Sequence, residues 1–289
     1  MPTPEIKTPT RDQAAHLTWI GHGTVLLDLD GVRLLTDPVL RNRVWHLRRQ
    51  APGADATKYA DVDAVLVSHL HFDHLDLPSL KRLGRGVPLV VPRGGGSLLI
   101  RRGFRRVVEV EAGEEVRLGA LTIRATYAEH NGPRLPLGAK APALGFVIGG
   151  SSRIYFAGDT DLFEGLLEIG RDLDVALLPI WGWGPSAGPG HLDPRRAAEA
   201  LRLLRPLLAV PIHWGTYAPL GLGRVQRALL SDPVKAFRRE AAGIAPEVKV
   251  RVLGLGETLW LDSITDGGLV NRSSSLEMRG NQGGWLDRL

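Results

Sequence analysis

Cysteine is missing from all 289 residues. That removes disulfides, thiolate metal sites and thiol nucleophiles, and leaves histidine and carboxylate as the metal-competent groups. Long apolar runs are missing too: no stretch reaches the ~18 residues of a membrane-crossing helix, and MPTPEIKTPTRDQ at the N-terminus lacks the apolar core of a secretory signal. The expectation is a soluble, cytoplasmic protein with no transmembrane segment. No internal repeat, long linker or composition shift precedes residue 262, which points to a single domain over 1–262. Residues 263–289 are polar, rich in Gly, Ser and Asn, and are expected to form a flexible tail.

The apolar content, 44%, suffices for a sizeable core. Short apolar runs come first as hairpins: HLTWI, TVLLDLD, a DG turn, then VRLLTDP. A second group of strands follows, EEVRLG, LTIRATYA, ALGFVIGG and SRIYFAGD. The order then alternates, with helices LFEGLLEIG, PRRAAEALRLLR and DPVKAFRREAAG between strands DVALLPI, LLAVPIHW and VKVRVLGLG. An α/β fold is expected, with two sheets back to back and helices outside. The triple glycine at 94–96 lacks the Lys-Ser or Lys-Thr of a phosphate loop and reads as a turn into a helix.

Residues 64–77, AVLVSHLHFDHLDL, pass from a buried-looking strand into His69, His71, Asp73 and His74. A single histidine is usually a satisfied core or surface residue. Converging imidazoles at a strand end would lose free energy on desolvation unless a cation sat between them, so this spacing reads as a metal site. His130, Asp159 and His213 each end a later apolar run in the same manner, and together the seven suggest a binuclear centre. Zinc suits the nitrogen-rich set, with manganese and iron as alternatives.

HLHFDH, a lone histidine, the aspartate of GDT and a late strand-end histidine together resemble the metallo-β-lactamase fold superfamily. WIGHGTVLLDLDGVRLLTDPV, PIWGWGPSAGPGHLDP and VPIHWGTYAP resemble its branch of ascorbate-phosphate lactonases and N-acyl-phosphatidylethanolamine phospholipase D. The similarity spans roughly residues 16 to 220. It implies a four-layer αββα sandwich of two mixed β-sheets flanked by helices. It also implies that His69, His71 and His130 hold one metal, that Asp73, His74 and His213 hold the other, and that Asp159 bridges them. Asp37 then braces the histidine loop from outside the ligand set. The flavodiiron variant has a carboxylate in place of His71, so hydrolysis is favoured over oxygen chemistry. Two such ions would share a water and present it as hydroxide, which dispenses with a serine or cysteine nucleophile.

Around this set, Asp73 and His191 are the candidate catalytic residues. His191 precedes Asp193-Pro194, a strong helix start, where it could bind a substrate anion or protonate a leaving oxygen. His22, Trp181, Trp183, Trp214 and Tyr217 are candidates for substrate binding, although a structural hydrogen bond serves His22 equally well and aromatics are usually core. A net charge of +5 permits an anionic substrate. Of the arginine-rich stretches, 41–49 and 101–106, most such runs are solvated faces; the first, with Trp45, is the better candidate for holding a phosphate or touching a lipid surface. The leading expectation is a binuclear hydrolase of a phosphodiester or other small anionic ester. A lactonase is the alternative, and a nuclease or a non-catalytic metal-binding module ranks lower: no inserted domain or basic arm suggests nucleic acid, and no ligand is missing. Oligomeric state is not legible.

Overall fold

Asp30 and Gly31 both have positive φ, 50° and 76°, as a two-residue type I′ hairpin turn requires. They join Thr24–Leu29 to Val32–Thr36, and the preceding strand, His16–Gly21, pairs antiparallel with the first of these. The computed structural model describes residues 5–6, 14–130, 139–182, 188–221 and 228–261. Trp183 and the segment from 263 onward lie outside the described residues.

Two large mixed sheets form the frame. One has seven strands, in the order Thr258–Trp260, His16–Gly21, Thr24–Leu29, Val32–Thr36, Ala64–Leu66, Leu89–Pro92, Val107–Val110; its last three pairings are parallel. The other has eight, in the order Glu5–Ile6, Glu115–Leu118, Leu121–Tyr127, Leu144–Gly149, Arg153–Phe156, Val175–Pro179, Leu208–Ile212, Lys249–Val250, again ending in three parallel pairings. A third, small sheet holds Tyr217–Pro219, Leu47–Arg49 and Arg43–Val44.

Side chains alternate across a strand, so a strand covered on both faces must be apolar throughout. Ala64 and Leu66 join the core between the sheets, with Leu27, Leu34, Phe146, Phe156 and Leu177. Val65 and Val67 point the other way, into the layer of Leu35, Leu80, Val91 and Leu99 beneath the helices Leu77–Leu83 and Gly96–Ile100. On the far side, Ala197, Leu201 and Leu204 of helix Pro194–Leu204 and Phe237 and Ala241 of helix Ala228–Ile244 extend the first core. Helix, sheet, sheet, helix is the expected αββα sandwich.

Two elements depart from the sequence reading. LFEGLLEIG folds as one short turn, Leu166–Ile169. The last helix begins at Ala228 and runs through Pro233, whose missing N–H forfeits a single bond near the start of the helix, a smaller loss than the burial of its apolar face recovers. Gly94 (φ 98°) turns the chain into helix Gly96–Ile100, and the Glu109 carboxylate accepts from the N–H groups of Gly94 and Gly96.

Candidate metal centre

The site lies where parallel strands of both sheets end. Asp37 follows Val32–Thr36, the histidine loop follows Ala64–Leu66, Asp159 follows Arg153–Phe156 and His213 follows Leu208–Ile212. Carboxyl ends of parallel strands are where open α/β sheets hold ligands. His22, Asp37 and His213 have φ of 55°, 33° and 61°. Left-handed backbone at three non-glycine residues around one site is strain held by the surrounding structure.

Ring nitrogens converge closely. His69 Nε2 and His130 Nε2 lie 3.0 and 3.1 Å from His71 Nδ1, and His74 Nε2 lies 3.2 Å from His213 Nε2. The outward nitrogens of four of these rings are engaged. His74 Nδ1 meets Asp37 Oδ2 at 2.7 Å, His130 Nδ1 meets the Gly190 carbonyl at 2.7 Å and His213 Nδ1 meets the Trp181 carbonyl at 2.7 Å. The Ser68 hydroxyl donates to Asp37 Oδ2 at 2.5 Å, which leaves its lone pairs to accept from His69 Nδ1 at 2.9 Å. Protons thus sit on the outer nitrogens and lone pairs face inward.

Among the described residues four clusters could hold a cation: His69, His71 and His130; His22, Asp73, His74 and His213; Asp37, His69 and His74; and His130, Asp159 and His191. Asp159 stands between the first two. Its Oδ2 is 3.2 Å from His74 Nε2 and 4.0 Å from His69 Nε2, and its buried Oδ1, which accepts no hydrogen bond, is 3.3 Å from His213 Nε2. Burial and the neighbouring His74 hold His69 well below the ordinary histidine range, and burial with His130 lowers His71 to about 4, so both rings are neutral donors. Burial would also lower His74 and His213, but the Asp159 and Asp73 carboxylates raise both. Burial would raise the two carboxyls, yet His74 and His213 hold them well below the usual carboxylate range. Carboxylates that draw positive charge into a largely buried pocket lined by imidazole nitrogens fit divalent cations.

His191 sits at the rim, partly exposed. Its Nε2 is 3.7 Å from Asp159 Oδ2 and its ring stands edge-on to His130 at 4.6 Å. Asp193 caps helix Pro194–Leu204 as expected, but its own carboxylate accepts from the Arg196 N–H. One of the free N–H groups at the helix start is therefore already satisfied from within the chain. His22 is buried, with Nε2 3.2 Å from Asp73 Oδ2, the structural hydrogen bond that was one of its two expected roles.

The aromatic pocket wall needs correction. Trp214 is 1% exposed and stacks on Trp19, and its indole N–H donates to the Pro211 carbonyl. Tyr217 is 1% exposed and donates to the carbonyls of Val39 and Arg41. Trp181 is buried and serves through its carbonyl. Trp181 and Trp214 follow strand ends and Tyr217 opens the strand Tyr217–Pro219, but all three side chains turn into the core, where their large apolar area is removed from water.

Ser68, Asp161 and Gly190 were not singled out by sequence. Asp161 accepts from the Gly190 N–H at 3.0 Å and pairs with Arg196, which ties the loop carrying Gly190 and His191 to the strand end that carries Asp159. The D-T-D spacing of Asp159 and Asp161 is the one signal that could have found it.

A family profile described as the beta-lactamase superfamily domain matches residues 32–214, more than half of the chain. A metal-dependent hydrolase of Methanopyrus kandleri is 30% identical over 253 residues, covering 84% of this chain and 98% of the relative. The N-acyl-phosphatidylethanolamine-hydrolyzing phospholipase D 1 of Caenorhabditis elegans is 34% identical over 230 residues, covering 71% of this chain and 64% of that protein. Uncharacterised mycobacterial relatives, 33% identical, are matched over 63% of their length. Among solved structures, a metallo hydrolase of Ignicoccus hospitalis superposes with TM-score 0.65 at 27% identity, covering 86% of this chain and 98% of its own. With its two mixed sheets, its strand-end histidines and the profile match, the chain belongs to the beta-lactamase superfamily and has the metallo-β-lactamase fold.

Proposed function

We propose that the centre binds two divalent metal ions and hydrolyses a phosphodiester or other small anionic ester. The observation that carries this reading is the engagement of the outward nitrogens of His69, His74, His130 and His213, which commits their inner nitrogens to lone-pair donation toward a common space. His69, His71 and His130 would hold one ion, Asp73, His74 and His213 the other, and Asp159, poised between both groups, would serve each. Bound there, such ions supply Lewis acidity and an activated water nucleophile near neutral pH. Asp37 and Ser68 keep the rings oriented, and the Asp37 carboxylate strengthens His74 as a donor. His191, beside Asp159 and partly exposed, would hold a substrate oxygen or pass a proton to the leaving oxygen. The Caenorhabditis elegans relative, named for cleaving a phospholipid, supports a phosphodiester over a lactone.

Elemental analysis of protein purified without chelator tests the metal count, with close to two ions per chain expected. A content that stays below one after incubation with zinc or manganese overturns the binuclear reading. A parallel panel of bis-aryl phosphates, lactones, phospholipids and a β-lactam tests the substrate class. Turnover confined to lactones would replace the phosphodiester assignment.

A further inference from the structure

The arginine run 41–49 divides sharply in the structure. Arg41 makes a two-pronged pair with the buried Asp76 carboxylate, at 2.8 and 2.6 Å, and Arg49 is buried, donating to the carbonyls of Pro52 and Ile20. These two are structural. Between them, Arg43–Val44 and Leu47–Arg49 form a hairpin whose inward residues, Val44 and Leu47, pack with Val39 and Tyr217. Trp45 and His46 make its tip.

Trp45 is 68% exposed, the most exposed of the large hydrophobic residues among those described. Its φ of 49° is unusual for a bulky residue. Arg43 Nε donates to its carbonyl at 3.3 Å. Beside the tip, Leu220 is 46% exposed, and its N–H donates to the His46 carbonyl, so both apolar side chains lie side by side at one edge of the small sheet. Arg43 and Arg48 are exposed around them, and no acidic residue occurs from 38 to 54. The Trp45 ring lies 5.7 Å from that of Phe72, which sits between His71 and Asp73.

We propose that this hairpin edge is an interfacial docking surface for an anionic lipid bilayer, with Trp45 and Leu220 entering the headgroup region and Arg43 and Arg48 meeting lipid phosphates. Tryptophan is favoured where one end of a side chain is apolar and the other wet, and each arginine near an anionic surface adds about fivefold to partitioning. A nucleic acid would use the arginines but leave Leu220 without a role. Docking does not depend on the metal chemistry. Its consequence rests on the hydrolase reading: through Phe72, the bilayer side of the molecule is also the side of the ligand loop, so a lipid phosphodiester would reach the centre from the membrane.

The test is co-sedimentation of the metal-loaded full chain with vesicles of phosphatidylcholine, with and without phosphatidylglycerol, and with a single-stranded oligonucleotide as competitor. Trp45→Gly keeps the left-handed backbone unstrained, and a second variant carries Arg43→Gln with Arg48→Gln. Binding to anionic vesicles is expected, reduced tenfold or more by Trp45→Gly. The arginine variant should lose most of the preference for phosphatidylglycerol. Hydrolysis of a soluble aryl phosphodiester should be unchanged in both. Equal vesicle binding by Trp45→Gly, absence of binding in the parent protein, or displacement by the oligonucleotide overturns the proposal. If the parent binds vesicles but never cleaves the soluble ester, the hydrolase reading fails and the docking surface stands.

Discussion

Gly158 lies one residue before Asp159, at φ 61°, in the close approach between the two sheets. A Cβ placed there would fall 2.5 Å from Ser68 Cβ, 2.8 Å from Ser68 Oγ and 3.0 Å from the Leu144 carbonyl oxygen. Gly158→Ala therefore carries two costs. A side chain in left-handed backbone costs roughly 1–2 kcal/mol, and overpacking a dense interior about 1–3 kcal/mol more. Together they give a loss of about 2–5 kcal/mol in urea denaturation of the metal-loaded protein. The function-specific effect follows from where the displaced atom leads. Ser68 holds Asp37 through its N–H at 2.7 Å and its hydroxyl at 2.5 Å, and the same hydroxyl orients His69. A shift of about 1 Å there would turn the ligand loop and lower turnover by roughly 10²-fold. Combining Gly158→Ala with Ser68→Gly removes the two closest colliding atoms and leaves the Leu144 carbonyl, so the double variant should lose less stability than the two single losses added. Unchanged stability and metal content in Gly158→Ala would refute the reasoning, as would strict additivity.

Asp159→Ala should abolish turnover and lower metal content by elemental analysis, and full activity would remove Asp159 from the shared position. His191→Asn should retain both metals and the fold while losing roughly 10²-fold in rate, with a smaller loss on nitrophenyl esters whose leaving oxygen needs no proton; loss of a metal would make it a ligand instead. On the surface, His16 Nε2 lies 3.2 Å from Asp28 Oδ2, and that contact raises its pKa above the ordinary value against partial burial. With the folded value raised, its contribution to stability is complete below the unfolded pKa of about 6.5 and disappears as pH rises through the folded value. An NMR titration should place His16 above 6.5 in the parent and lower in Asp28→Asn, and equal values would dismiss the pair.

The clustering of the candidate ligands was legible in the sequence because each lies at or just beyond the end of an apolar strand, where a polar group needs a reason to be. The Asp30-Gly31 hairpin and the Asp193-Pro194 helix start were legible because local backbone geometry alone demands those residue types. Trp214 and Tyr217 were not: residues after a strand can point outward or inward, and only the placement of Trp19 and the Val39 carbonyl decides it. Asp161 and Gly190 escaped for a related reason, since they act across 29 residues of chain on a contact that no short pattern encodes. Arg41 and Arg49 looked like members of a surface charge run until Asp76 and the backbone of Ile20 and Pro52 were beside them.

The outward bonds of the histidines differ between the two halves of the centre. On the seven-stranded side, His69 and His74 are oriented by the side chains of Ser68 and Asp37. On the eight-stranded side, His130 and His213 hang on main-chain carbonyls, at Gly190 and Trp181. A carbonyl survives a change of side chain. The bond that fixes the His213 tautomer therefore does not depend on the Trp181 side chain, whose place is in the core, and at Gly190 it is the backbone conformation that His130 needs. Side-chain change is thus tolerated where His130 and His213 are anchored, whereas a change at Ser68 or Asp37 reaches His69 and His74 at once.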